Sequence, residues 1–308
     1  MARLAEEWFA TCAGCEVTIL DIGEPLIDIL KQVSIVHMPV LMDHKLYGQT
    51  GERTEMEIPE ADIGIITGGI RTEEHKEIAR EMRKKCGTLI AMGSCACSGG
   101  VPALANLYTT ADLVASVHRG SITTADPAVV PNAELPVLTD RVYAINEVVP
   151  VDVYLPGCPT TPEMVVAALT ALLEGKPFAL STKSVCDECP TIRAKKSVTT
   201  LKRRLEGPEF VPGRPLSEMR CLMEQGFLCQ GPATRGGCGG SEGTPRCIRA
   251  YMTCEGCFGP ISEKANPMVD MLGALSSIGL DPKQVLDRGA TFNRFAGAGG
   301  RLRPLPKR

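Results

Sequence analysis

A chain of 308 residues with 33 basic and 36 acidic side chains is close to electrically balanced. That balance offers no case for nucleic-acid binding, which calls for a basic patch or stripe. The chain is long enough to bury a large core and suggests about two domains, so its 14 cysteines do not read as the disulfide framework of a short secreted chain. No membrane span is expected, because the longest apolar stretch, Val165 to Leu173, is far too short to cross a bilayer. Glu6 and Glu7 interrupt the opening residues before a signal segment can form, and a reducing compartment follows.

The first half alternates strand-like and helix-like segments in the manner of a parallel α/β sheet. In chain order the strand candidates are a weaker run at Leu4 to Phe9, then Val33 to Val40, Ile63 to Thr67, Thr88 to Met92 and Val151 to Leu155. Thr72 to Lys85 reads as a helix: Thr72 can cap it, Glu73 and Glu74 fall in its first turn, and Arg83, Lys84 and Lys85 in its last. That polarity complements the helix dipole. A second helix is predicted from Pro162 to Leu173, with Thr161 as N-cap, proline at the first position and Gly175 just past the end.

From about Ser181 the character changes. Val185 to Pro260 holds eight cysteines among many glycines and prolines, with no sustained period of 2 or 3.6, so metal sites are expected to hold its fold. A helical pattern returns at Met268, Val269, Met271, Leu272 and Leu275, followed by a glycine-rich, basic tail.

Twelve of the cysteines sort into three sets of four, each with one C-x-x-C pair: Cys12 and Cys15 with Cys95 and Cys158; Cys186 and Cys189 with Cys221 and Cys229; Cys254 and Cys257 with Cys238 and Cys247. Four thiolates are what a cubane 4Fe-4S cluster needs. The first set falls on loops after the carboxyl ends of separate strands, and in an open parallel sheet such loops converge on one edge, where ligands bind. The Gly68-Gly69 loop should border the same place. Structural zinc uses the same ligands at the same spacing and would make the chain a non-enzymatic scaffold. Two features favour iron–sulfur: the first set draws on three strand ends, and the other two have long glycine-rich loops able to wrap a larger object. Cys86 and Cys97 are left over and read as structural. The four histidines, His37, His44, His75 and His118, show no ligand spacing and read as surface or loop residues, His75 as a solvated helix position. Trp8 reads as packing beneath the first cysteine loop. No phosphate-loop, dinucleotide or nucleophile-elbow motif occurs.

The motifs Cys12-Ala13-Gly14-Cys15-Glu16, Gly93-Ser94-Cys95-Ala96-Cys97-Ser98-Gly99-Gly100 and Leu155-Pro156-Gly157-Cys158-Pro159 resemble the proximal-cluster motifs of the NiFe hydrogenase small subunit. Related motifs occur in the cluster-bearing subunit beside quinone in respiratory complex I, which lacks the cysteine-rich extension. The stretch Cys221 to Cys238, with Cys229-Gln230-Gly231-Pro232-Ala233-Thr234, resembles the medial and distal cluster region of the hydrogenases. The likeness covers nearly the whole chain.

The resemblance implies an α/β fold: a flavodoxin-like doubly wound parallel sheet over 1–180 with the proximal cluster, then an irregular cysteine-rich iron-sulfur domain over 181–308 with the other two. Cys12, Cys15, Cys95 and Cys158 would hold the proximal cluster, Cys238, Cys247, Cys254 and Cys257 the medial one, and Cys186, Cys189, Cys221 and Cys229 the distal one. Many periplasmic relatives have a histidine in place of Cys186 and no counterpart of Cys247; here all three are expected to be 4Fe-4S cubanes. The implied partner is a large subunit with the nickel-iron site, and no catalytic residue lies in this chain beyond Glu16 as a possible proton relay. The location implied is cytoplasmic, as in methanogen-type enzymes. One version passes electrons through an iron-sulfur adaptor to a flavin-containing heterodisulfide reductase, the version favoured here; the other reduces a deazaflavin coenzyme.

Overall fold

The computed structural model describes residues 1–305 apart from positions 44, 49, 126–127 and 196. The chain divides into two compact units, Met1–Phe178 together with Gly297–Arg308, and Ala179–Ala296. The glycine-rich tail, expected with the second domain, is therefore part of the first unit.

In the first unit the strands are β1 (Ala2–Trp8), β2 (Val33–His37), β3 (Ala61–Thr67), β4 (Ile70–Thr72), β5 (Cys86–Met92), β6 (Leu138–Tyr143) and β7 (Val153–Leu155). The helices are α1 (Gly14–Leu20), α2 (Glu24–Leu30), α3 (Glu73–Lys85), α4 (Gly93–Ser98), α5 (Thr110–His118) and α6 (Pro162–Leu173), with a 3-10 turn at Val101–Leu107. Five strands form a sheet in the order β2-β1-β3-β5-β7, and every neighbouring pair is parallel. This is the doubly wound α/β arrangement that the strand and helix pattern predicts.

Both faces of the sheet are covered. Leu4, Ile63, Ile65, Ile90 and Leu155 pack with Ile29 of α2 and Val165 and Leu169 of α6, while Ala5, Ile66, Leu89 and Ala91 pack with Ile78 and Met82 of α3. Double coverage explains why the central strands are continuous apolar runs and not alternating ones. The caps are those the sequence signals: the Thr72 hydroxyl accepts the His75 N–H at 3.1 Å, and the Thr161 hydroxyl accepts the Met164 N–H at 3.3 Å. The antiparallel pair β4 and β6 has no counterpart among the predicted strands. Its partners lie far apart in sequence, and Leu138–Tyr143 has a mixed polar composition.

The second unit contains α7 (Val185–Glu188), α8 (Arg246–Arg249), α9 (Pro267–Ser277) and α10 (Arg288–Asn293) among 3-10 turns and irregular chain. Helix α9 is the one announced by periodicity, and Asn266 caps it by accepting the Met268 N–H at 3.1 Å. Its buried Met271 and Leu275 pack in a cluster with Leu280, Phe292, Cys229 and Cys254. Among the described residues, no helix is long and apolar enough to cross a membrane.

Candidate metal centres

The first cysteine set lies on the carboxyl edge of the five-stranded sheet. Past the end of β1, Ala10 and Gly69 exchange two backbone hydrogen bonds of 3.0 Å, so the β3 loop supports the chain that leads into Cys12 and α1. Cys95 stands in α4, directly after β5, and Cys158 follows β7. Their loops are tied to each other: the Ser94 N–H donates to the Gly157 carbonyl at 2.7 Å, and the Gly157 N–H donates to the Ser94 hydroxyl at 3.2 Å. The Thr18 hydroxyl of α1 donates to the Thr160 carbonyl at 3.3 Å, which joins the Cys15 helix to the Cys158 loop. Gly93, at φ +85, faces the Cys15 sulfur so closely that no Cβ fits.

These contacts bring Cys12, Cys15, Cys95 and Cys158 together as electrostatic neighbours. Burial, reinforced by Glu16, Cys95 and Cys158, pushes the Cys15 thiol up to about 12. Burial, reinforced by Cys158 and Cys12, pushes Cys95 up to about 12 as well. Thiols held this high keep their protons at neutral pH, and a metal must displace those protons to bind. The Thr160 N–H donates to Cys15 and the Val101 N–H to Cys95; both bonds favour the thiolate that a metal requires.

Beside this set lies buried polar density. Glu16 is 4% exposed; one of its oxygens accepts the Thr67 hydroxyl, and the other has no partner. Glu6 is fully buried with neither oxygen partnered, and burial, then Glu16 and Glu7, raise it to about 8. Glu7 pairs with His37 at 2.6 Å. His37 is 0% exposed, which corrects its reading as a surface residue. His75 is half-buried and stacks on Phe9 at 4.7 Å, and burial lowers its pKa, so it is not a solvated position either. His118 is half-buried in the last turn of α5, and His44 lies outside the described residues. Trp8 is 42% exposed and faces outward instead of lying beneath the loop. Two adjacent acids inside a strand that must be buried on both faces were the available signal for Glu6 and Glu7.

The second set surrounds a cavity of 340 Å³ lined by Cys186, Cys189, Cys221 and Cys229 together with Val185 and Met223. Ser184 caps α7 and so places Cys186: its hydroxyl accepts the Asp187 N–H at 3.3 Å, while the Asp187 carboxylate accepts the Ser184 N–H at 2.8 Å. Ile192 bonds both sides of the opposing loop, its N–H to the Met219 carbonyl and its carbonyl to the Cys221 N–H, each at 2.8 Å. Burial pushes Cys186 to about 12 and Cys229 to about 11.

In the third set, Cys238 and Cys247 are neighbours, Cys254 and Cys257 are neighbours, and the Glu255 N–H donates to Cys247. Burial raises Cys238, Cys247 and Cys254. The Cys254 N–H also donates to the Cys229 sulfur at 3.3 Å, so the second and third sets touch. Of the remaining cysteines, Cys86 is buried against Gly64, and the Cys97 thiol donates to the Ala91 carbonyl at 3.2 Å.

The donors fit an iron–sulfur cluster. All are soft sulfur, a donor set that suits such a cluster, and in the second site four of them line one pocket.

The family model for the NADH ubiquinone oxidoreductase, 20 Kd subunit, matches residues 12–172. Over 285 residues the chain is 37% identical to a subunit of the vhu F420-non-reducing hydrogenase of Methanococcus voltae, covering 92% of this chain and 91% of that protein. A crystal structure of an NAD+-reducing NiFe-hydrogenase in the H2-reduced state superposes with a TM-score of 0.52 at 36% identity, over 57% of this chain and 93% of that one. The NiFeSe hydrogenase of Desulfovibrio vulgaris Hildenborough superposes at 0.51 with 18% identity, over 85% of this chain and 95% of that one, a likeness of fold. With half of its length inside the family model and nearly all of it aligned to a hydrogenase subunit, the chain belongs to the NADH ubiquinone oxidoreductase 20 Kd subunit family, on the branch found in the F420-non-reducing hydrogenases.

Proposed function

We propose that this chain is the electron-transfer small subunit of a cytoplasmic NiFe hydrogenase, carrying electrons from dihydrogen oxidation on a large subunit through three 4Fe-4S clusters. The observation that carries this reading is the grouping of eight thiols into two sets of four neighbours and of Cys238 with Cys247 and Cys254 with Cys257 into pairs, the second set touching Cys254 through Cys229. Cys12, Cys15, Cys95 and Cys158 would hold the proximal cluster, Cys238, Cys247, Cys254 and Cys257 the medial one, and Cys186, Cys189, Cys221 and Cys229 the distal one. Each cluster, when bound, supplies one-electron redox chemistry. The protein's part is to position the thiolates, keep water from them and tune them through donors such as the Thr160, Val101 and Glu255 amides. The Cys254 N–H on the Cys229 sulfur supports a path between the medial and distal sites. Glu16, buried beside Cys15 and accepting the Thr67 hydroxyl, would be the proton relay beside the proximal site.

Four thiolates at every site lower the potentials relative to histidine-ligated or three-iron centres, which suits a low-potential cytoplasmic acceptor. The favoured acceptor is an iron-sulfur adaptor serving a flavin-containing heterodisulfide reductase, in line with relatives named F420-non-reducing. The test is anaerobic purification with copurifying partners. About twelve iron and twelve sulfide per chain, four of each per cubane, and a nickel-containing large subunit are expected. Stoichiometric zinc without sulfide would overturn the reading, and a copurifying deazaflavin-reducing flavoprotein would overturn the choice of acceptor.

A further inference from the structure

The loop that presents Cys95 is not held by its own neighbours in sequence. Helix α4 ends at Ser98, and the chain then turns through Gly99 (φ +87) and Gly100 (φ +51) into the 3-10 turn Val101–Leu107. This turn wraps the Cys95 thiol: a Cβ on Gly100 would stand 2.7 Å from the Cys95 sulfur, and the Val101 N–H donates to that sulfur. A segment far along the chain, beyond the whole second unit, packs against the same turn. The Ala298 N–H donates to the Ser98 carbonyl at 3.1 Å. Ala298 is fully buried with Ala103, Val142 and Ala144, and a Cβ on Gly99 would stand 2.5 Å from the Ala298 methyl, so there is no slack between them.

The segment is fastened on both sides of this contact. The Asn106 amide donates to the Gly297 carbonyl at 3.5 Å and to the Val142 carbonyl at 3.0 Å. Glu147 accepts the Gly299 N–H at 3.1 Å and the Ala144 N–H at 2.9 Å, while Arg141 pairs with it at 2.9 Å. Further on, the Leu305 N–H donates to the Leu107 carbonyl at 2.9 Å.

We propose that Gly297 to Leu305 is a brace whose Ala298 is a positioning residue for the proximal cluster, fixing the Gly99-Gly100 turn and with it the Val101 N–H on the Cys95 sulfur. The proposal rests on Cys95 being a ligand of that cluster. Hydrogen bonds to cluster sulfurs stabilise the more negative, reduced state. Loosening the brace therefore lowers the potential of one cluster out of three, through a residue that touches no ligand.

The test uses the anaerobically purified complex with its large subunit. Ala298→Val crowds Gly99 while keeping the site covered, Ala298→Gly removes the methyl contact, and a chain stopped after Ala296 removes the brace altogether. Redox titration followed by electron paramagnetic resonance is expected to show a downward shift and altered g-values for the proximal cluster in Ala298→Val, with the other two clusters unchanged and iron content intact. Amide exchange at Gly100 and Val101 is expected to rise in both point variants, a readout that stands even where the stopped chain fails to fold. An unchanged proximal signal, or equal shifts in all three clusters, overturns the brace. Cys95→Ala separates the two layers of the argument: if it leaves all three 4Fe-4S clusters in place, the ligand assignment itself fails.

Discussion

In the first unit the four thiols follow the ends of strands that are buried on both faces, and of these only Cys15 joins an apolar cluster, beside Leu4 and Ile63. The rest of the core, with Ile66, Met82, Leu89 and Ile90 fully enclosed, is built by the sheet and its helices. In the second unit the thiols belong to the core: Cys229 and Cys254 are buried in the same cluster as Met271, Leu275 and Phe292, and α7 and α8 are four residues each, too short to persist without tertiary support. The same ligand chemistry is thus built in two ways, as a graft on a finished scaffold and as the scaffold itself. With four thiols lining one pocket, the second unit is the one expected to depend on what they bind.

The sharpest way to break this contrast is to remove the metal. Thiolate-metal sites of the structural kind are worth on the order of 10 kcal/mol to the fold that surrounds them. Chelation under anaerobic, reducing conditions is therefore expected to abolish amide protection across α7, α8 and the Gly231–Ala233 turn while β3 and β5 stay protected. Equal loss, or equal survival, in both units by hydrogen-exchange mass spectrometry would refute the distinction.

Core truncation probes the converse. Met82→Ala empties a fully buried site between α3 and the sheet and is expected to cost about 2–5 kcal/mol, read as a lower denaturant midpoint of the first unit with iron content per folded chain unchanged. Loss of iron in proportion to the lost stability would mean that the sheet and the proximal site form one cooperative structure.

Within the second unit, Cys247→Pro removes one thiolate and leaves three. A 3Fe-type paramagnetic signal from the oxidised protein is expected, with a higher potential at that site and the other clusters unaltered. If the unsubstituted protein already gives a full signal of this kind, Cys247 is not a ligand.

The most local effect concerns Glu6. Its carboxyl is raised from 4.5 to about 8 in the folded chain, so between those values the folded state keeps a proton that the unfolded state has released. Stability must then fall as pH rises through that window, by at most about 1.4 kcal/mol per pH unit, and Glu6→Gln is expected to flatten the slope. An unchanged slope in denaturant titrations at pH 5 to 8 would show that Glu6 ionises without penalty.

Much of the first unit was legible because its signals are local. The apolar runs at Ile63 to Thr67 and Thr88 to Met92, the Thr72 and Thr161 caps and, in the second unit, the α9 periodicity each depend on residues within one or two turns of each other. The spacing of Cys12 and Cys15, and the placing of Cys95 and Cys158 after strands, likewise followed from the order of elements along the chain. Short-range rules reach that far because helix caps and strand runs are decided by neighbouring backbone groups and by one buried face. Three features were decided only by the tertiary structure. His37 and Glu7 meet across paired strands deep in the core, a pairing of residues thirty apart that no local pattern announces. Cys254 meets Cys229 across irregular chain that carries no period to read. Ala298 meets Gly99 because a methyl-sized gap beside a left-handed turn can be filled by any segment that reaches it, and nothing in the composition of either partner names the other.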